Sequence, residues 1–240
     1  MPASASSLRL AGLAAVALAG LAAAACAPSS GAAGAAEPSR LVMLADGVEV
    51  PATVHAAAFE RSLLGFGMPG YHLLVAAGGK AAGASLFVTP VSDSEILDTF
   101  ETLGAKPGDA LGMDTWEERE SPASPAPDRV IEGPSVEVTV WVPGRAEPLA
   151  LGDFLTDPGG KGFAMRLGGH RANIPLWGSG CGICLYSCPG AKVGNARYTV
   201  REWMQGTTRF RVRPGTLPAD GSTVTLRLRL VPTAGEAEVG

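Results

Sequence analysis

The chain has 240 residues, 46% of them apolar and 18% charged, which is ample material for a core and excludes wholesale disorder. Its 32 glycines and 19 prolines make up about a fifth of the residues against roughly 12% in average usage, which excludes a long-helix bundle or coiled coil. With 19 basic against 23 acidic residues the net charge is −4, so no global field attracts nucleic acid, and no local basic run replaces it.

Leu10 to Ala25 is an uncharged run rich in Ala and Gly behind a short head carrying Arg9. It is shorter than the about 20 apolar residues a membrane span needs and reads as the hydrophobic region of an export signal over residues 1–25. Ala23, Ala24 and Ala25 lead into Cys26, an arrangement similar to a bacterial lipobox, in which the cysteine is acylated and becomes the mature terminus. Ala23 stands where that pattern usually has leucine. The expectation is a lipoprotein of the cell envelope, exported and anchored in membrane lipid through Cys26. Residues 26–40 hold small residues and Pro with almost no large apolar side chain, the composition of a flexible tether.

From Leu41 onward, short apolar or alternating runs separated by Gly and Pro predict strands at Leu41 to Leu44, Val48 to Val54, Tyr71 to Ala76 and Ala84 to Thr89. Ser92 to Gly104 predicts an amphipathic helix, with Ser92 and Glu95 at capping-box spacing, Ile96, Leu97, Phe100 and Leu103 on one face, and Gly104 as the stop. Ser121 to Asp128 is a Pro-rich connector. Beyond it, Ser135 to Val142 alternates with Val136, Val138 and Val140 on one face. Asp153 and Asp157 are spaced for a turn. Thr199 to Gln205 repeats the capping device with Thr199 and Glu202. Arg209 to Arg213 and Ser222 to Val231 predict two strands joined by a hairpin-type connection, with Arg209, Arg211, Arg213, Arg227 and Arg229 forming a solvated basic strip. The fold expected over residues 41–231 is one α+β domain of mostly antiparallel short strands with two or three short helices, with a division into two lobes near 121–128. A disordered tail is expected over 232–240.

Three of the four cysteines, Cys181, Cys184 and Cys188, fall within eight residues, so they share a task. Glycines around them allow a turn that brings the thiols together. C-x2-C-x3-C-P equals the last three cysteines of the bacterial ferredoxin run, with Gly178 where the first would stand. The site therefore supplies three thiolates to an iron–sulfur cluster of the 4Fe–4S type, or to zinc, and needs a further ligand. His170, eleven residues upstream, is the candidate that completes a Cys3His set. His55 and His72 sit among apolar strand residues and read as core-edge or surface histidines. Export argues against a cluster, since thiols oxidise outside the cytoplasm. Cys181 and Cys184 also have the redox C-x-x-C spacing, with Cys188 as a resolving thiol, so a metal-free disulfide or a merely structural loop stays open beside the metal. The Gly190 to Gly194 segment lacks the order of a phosphate loop, so nucleotide binding is not expected, and no residue is marked as catalytic.

The run from Trp177 through Cys181, Cys184, Cys188, Lys192, Gly194 and Asn195 to Arg197 resembles the signature of YdjY-type domain proteins. Leu103 to Gly108 is similar to that family's earlier helix-ending motif, and the similarity spans roughly Tyr71 to Val231. The resemblance implies an exported bacterial protein described as iron–sulfur, and brings no established reaction. The function expected is an accessory redox or metal centre serving an unidentified protein partner. The competing reading is a binding module with a stapled loop.

Overall fold

The computed structural model describes residues 40–61, 69–108, 111–112, 123–125, 128–206 and 208–232. The export signal, Cys26, the tether before residue 40, half of the 121–128 connector and residues 233–240 lie outside the described residues.

Three strands make the longest wall. β2 (Gly47–Val54) and β5 (Ser135–Trp141) flank β12 (Thr223–Val231), antiparallel on both sides. Leu226 stands opposite Val50 and Val140, and Leu228 opposite Val48 and Val138, so strand alternation places one continuous apolar row inside. All six of these side chains are buried. β1 (Val42–Met43) extends the outer side of β2. From β5 the sheet continues through β8 (Met165–Leu167), β10 (Val193–Asn195), β9 (Cys181–Cys184), β3 (His72–Ala76) and β4 (Ser85–Thr89). β4 then pairs back onto β2, with Val88 opposite Thr53 and Phe87 opposite Val54. Eight strands thus close a barrel, a number whose interior is just wide enough to be filled by side chains. Strands from both sides of the 121–128 connector contribute to it. β6 (Leu149–Ala150) adds to β5 from outside.

The closed sheet corrects the expected α+β fold. The chain is mostly β, because each inner face is covered by the opposite wall of the barrel and not by a helical layer. The strands are neither uniformly short nor uniformly antiparallel: β12 has nine residues, and the β9–β10 and β3–β4 pairs are parallel. Among the described residues, helices α1 (Ala56–Phe59), α2 (Asp93–Thr102), α3 (Leu151–Phe154), α4 (Asn173–Trp177) and α5 (Val200–Gln205) are short, α2 being the longest with ten residues.

The predicted hairpin between the arginine strands does not form. β11 (Arg211–Val212) pairs with β7 (Leu155–Thr156) in a separate two-stranded sheet, while β12 sits inside the barrel wall. The arginines are consequently divided and engaged locally. Arg227 Nε donates to Glu49 at 2.9 Å with its guanidinium 5.1 Å over Trp141, and Arg229 Nε donates to Asp46 at 2.8 Å. Arg213 Nε donates to the Leu155 carbonyl at 3.1 Å. Asp157 accepts the Gly162 amide and the Tyr198 hydroxyl, a turn role that matches its spacing.

Both predicted helices carry the expected caps. Ser92 Oγ accepts the Glu95 amide at 3.2 Å, and the Glu95 carboxylate accepts the Ser92 amide at 2.8 Å; Thr199 and Glu202 repeat the exchange on α5. The Ser92 hydroxyl and amide hold the Glu95 carboxyl below its ordinary value. A group with a lowered folded pKa stabilises above its unfolded value, and that contribution is lost as pH falls through the folded one. Ser92→Ala is expected to cost about 1 kcal/mol in urea denaturation at neutral pH. The difference from the parent should shrink once the solution is acidic enough to protonate Glu95.

Candidate metal centre

The cysteine strand β9 runs antiparallel to β3, and this pairing builds the site. In a regular strand, residues three apart point to opposite faces, so Cys181 and Cys184 would be separated by the sheet. The pairing is irregular instead: His72 lies opposite Cys184, Leu74 opposite Ile183, and Val75 opposite Cys181, with two register shifts in this short stretch. Such irregularities re-aim side chains. Both thiols turn toward one imidazole, with His72 Nδ1 at 3.6 Å from Cys184 Sγ and 3.8 Å from Cys181 Sγ. The three donor atoms lie within 4.8 Å of one another, close enough to bind a metal ion.

Backbone contacts hold this arrangement in place. The turn after β3 packs directly on the segment before β9, where a Cβ on Gly79 would meet the Ser179 carbonyl at 2.3 Å, and where Gly180 has φ +69. Neither position admits a side chain without separating the strands. Ser179 Oγ accepts the Cys181 amide at 3.2 Å, and the Tyr71 carbonyl accepts the Leu185 amide at 2.8 Å. Cys188 follows in the connection from β9 to β10. Asn173 Nδ2 fixes that connection through the Pro189 carbonyl at 2.9 Å. Cys181 and Cys184 are 0% exposed and Cys188 2%, so no reactant from solution touches these sulfurs directly.

Charge is arranged around the thiols. Lys192, 1% exposed, donates to Asp93 Oδ2 at 2.8 Å and to the Gly190 carbonyl at 2.8 Å. Burial works against a thiolate at Cys181, yet hydrogen bonding to Cys184 and His72 and the charges of His72 and Lys192 outweigh it and draw its pKa down to about 6. Burial likewise disfavours the His72 imidazolium, but hydrogen bonding to Cys181 holds His72 above its ordinary value. Burial and both sulfur neighbours push the Cys184 thiol up. Cys188 is drawn down, against burial, by Cys184 and Tyr186.

The structure brings Cys181 and Cys184 together with His72, an imidazole expected among the core-edge or surface histidines, and Cys188 lies outside this group. His170 is outside the His72–Cys181–Cys184 group; it is half-buried and lines a narrow crevice with Cys188, Gly168 and Pro189. Position in a strand was the signal available for His72, since its partner strand lies more than a hundred residues away.

Residues 44–229 match the YdjY domain. The chain belongs to the YdjY domain family. A curated member from Escherichia coli (strain K12), described as uncharacterized protein YdjY, is 26% identical over 160 residues, covering 66% of this chain and 67% of that protein. No solved structure matches. Within this YdjY domain the imidazole and the lowered thiol predict a thiolate in the reduced, metal-free protein. Its ultraviolet absorbance should be present at neutral pH, fall away as the pH drops through about 6, and be missing from Cys181→Ser. The thiolate's contribution to stability follows the same sign, present above the ordinary thiol value of 9.0 and fading as pH falls toward the folded one.

Proposed function

We propose that this YdjY-domain protein is an exported, lipid-anchored protein whose buried centre holds a single soft metal ion of the zinc class, with His72, Cys181 and Cys184 as ligands. The observation that carries the reading is the spacing of the donors. A tetrahedral ion with metal–sulfur bonds of about 2.3 Å and metal–nitrogen bonds of about 2.0–2.1 Å needs sulfur and nitrogen about 3.6 Å apart. The two separations here are 3.6 and 3.8 Å. A cubane cluster places its ligating sulfurs on different irons, which requires them further apart than the ligands of one ion. The donor set, thiolates with imidazole, also suits zinc better than the oxygen-seeking cations.

Binding would take up the proton-free forms of the thiols, and the Cys181 thiolate is the donor closest to that state. Titration of the reduced protein with cobalt(II) should give one ion per chain with sulfur-to-metal charge-transfer bands. His72→Ala should weaken binding by more than the roughly 10–100-fold typical of losing a supporting residue. Formation of an iron–sulfur chromophore on reconstitution, with cobalt left unbound, would overturn the single-ion reading. A Cys181–Cys184 disulfide resistant to mild reductant would move the function to thiol chemistry.

Export and anchoring rest on the Leu10 to Ala25 run and on Cys26. One acyl chain binds a membrane only marginally, so stable anchoring requires the several chains of an acylated N-terminal cysteine. Cys26→Ser is expected to shift the protein from the membrane fraction to the soluble fraction, with loss of the acyl mass by mass spectrometry. An unchanged membrane fraction would exclude this anchor.

A further inference from the structure

Cys181 and Cys184 are close at their sulfurs and far apart at their backbone. The two sulfurs lie within 4.8 Å of each other. The chain between them is the strand β9, and its register on β3 measures the span: Cys184 stands opposite His72 and Cys181 opposite Val75, so the two shifts between these pairs cancel. Three residue steps of extended chain cover about 10 Å at about 3.3 Å per residue. A disulfide needs its α-carbons within about 7 Å. The geometry points to a redox lock: β9 in the barrel wall excludes a Cys181–Cys184 disulfide, so oxidation of this pair and closure of the β3–β9 seam are mutually exclusive.

Shortening β9 by about 3 Å would force Gly182 and Ile183 to buckle out of the sheet, where both edges and one face are occupied. On one edge β10 pairs in parallel, with Val193 opposite Ile183 and Gly194 opposite Cys184, and the Lys192 amide donates to the Gly182 carbonyl at 3.2 Å. On the other edge hydrogen bonds bracket the strand at both ends. The Ala76 amide donates to the Gly180 carbonyl and the Leu185 amide to the Tyr71 carbonyl, each at 2.8 Å. On the face, α2 lies so close that a Cβ on Gly182 would meet Ile96 Cδ1 at 3.0 Å. Ile96 and Ile183 are both fully buried, so neither has space to yield.

The folded chain therefore keeps two neighbouring thiols reduced. Once the seam opens, the same thiols react with an oxidant of the disulfide class. One thiol exchanges with it to a mixed disulfide and releases one small thiol; the second then displaces the other, so one small disulfide and two protein thiols become one protein disulfide and two small thiols. The oxidised chain cannot return β9 to its place between β3 and β10 until a reductant reverses the exchange. The lock concerns the thiols themselves and holds whether or not the centre takes an ion.

Oxidised glutathione tests it on the reduced, metal-free protein, in a Cys188→Ser variant so that Cys181 and Cys184 react without the neighbouring thiol. In urea the pair should form its disulfide, read by mass spectrometry as the loss of two hydrogens and of both alkylation sites. Under native conditions the reaction should be roughly a hundredfold slower or more, since it waits on opening of the seam. Burial alone would also slow it, so the deciding step is removal of urea from the oxidised chain. That chain should lack the near-ultraviolet circular dichroism of the reduced protein and exchange the amides of β3 and β9 rapidly, and dithiothreitol should restore both. An oxidised chain that refolds with the dichroism of the reduced protein and protected β3 and β9 amides overturns the lock. So does native protein that takes up the disulfide with both signals unchanged. If Cys188→Ser does not fold, the same comparison in the parent chain, with the Cys181–Cys184 pairing assigned by fragmentation, decides equally. Failure of cobalt binding would remove the ion and leave these outcomes as they are.

Discussion

The irregular pairing between β3 and β9 is the constraint from which the rest of the site follows. A regular antiparallel ladder would hide one of the two thiols on the far side of the sheet. Two register shifts within four residues of β9 cancel the alternation and turn both sulfurs to His72. This pairing is part of the barrel wall, where β3 stands between β9 and β4, and β4 closes onto β2. Site and fold are therefore the same object: the wall that carries the thiols is also the wall that completes the core.

Placing ionisable groups inside that wall has to be compensated locally. A buried charge is tolerated only with partners that satisfy it, and breaking such a pair typically costs about 3–5 kcal/mol. Lys192 meets this condition through Asp93 at the start of α2 and the Gly190 carbonyl. The capping box that starts α2 thereby has a second role, because the same helix start positions the carboxylate that neutralises the lysine. His72 and Cys181 compensate one another in the same way, each shifting the other toward its charged form.

Much of the framework was legible in the residues because it depends on local periodicity. Val136, Val138 and Val140 and the Val224 to Leu230 row alternate, and Ser92 with Glu95 announces a helix start; the structure keeps all of these within one or two residues. The barrel was not legible, since closure depends on β4 meeting β2 and on short strands such as β8 and β10 that carry only three residues each. The arginine strands show the same limit: alternation identified both, but nothing local said that β11 would pair with β7. Of the site, the cysteine spacing was visible. His72 was not, because an imidazole among Tyr71, Leu73 and Leu74 reads as packing until its partner strand is known.

The path of the chain gives the centre a place in time as well as in space. His72 and Cys181 are 109 positions apart, so their contact closes a long loop. Contacts of such separation close slowly, because the entropy of a long loop must be overcome before they return any energy. The three thiols stay open to solvent in the interval before this contact forms. Whatever these sulfurs are to hold, or whatever oxidation state they are to keep, is decided in that interval, before the barrel closes over them.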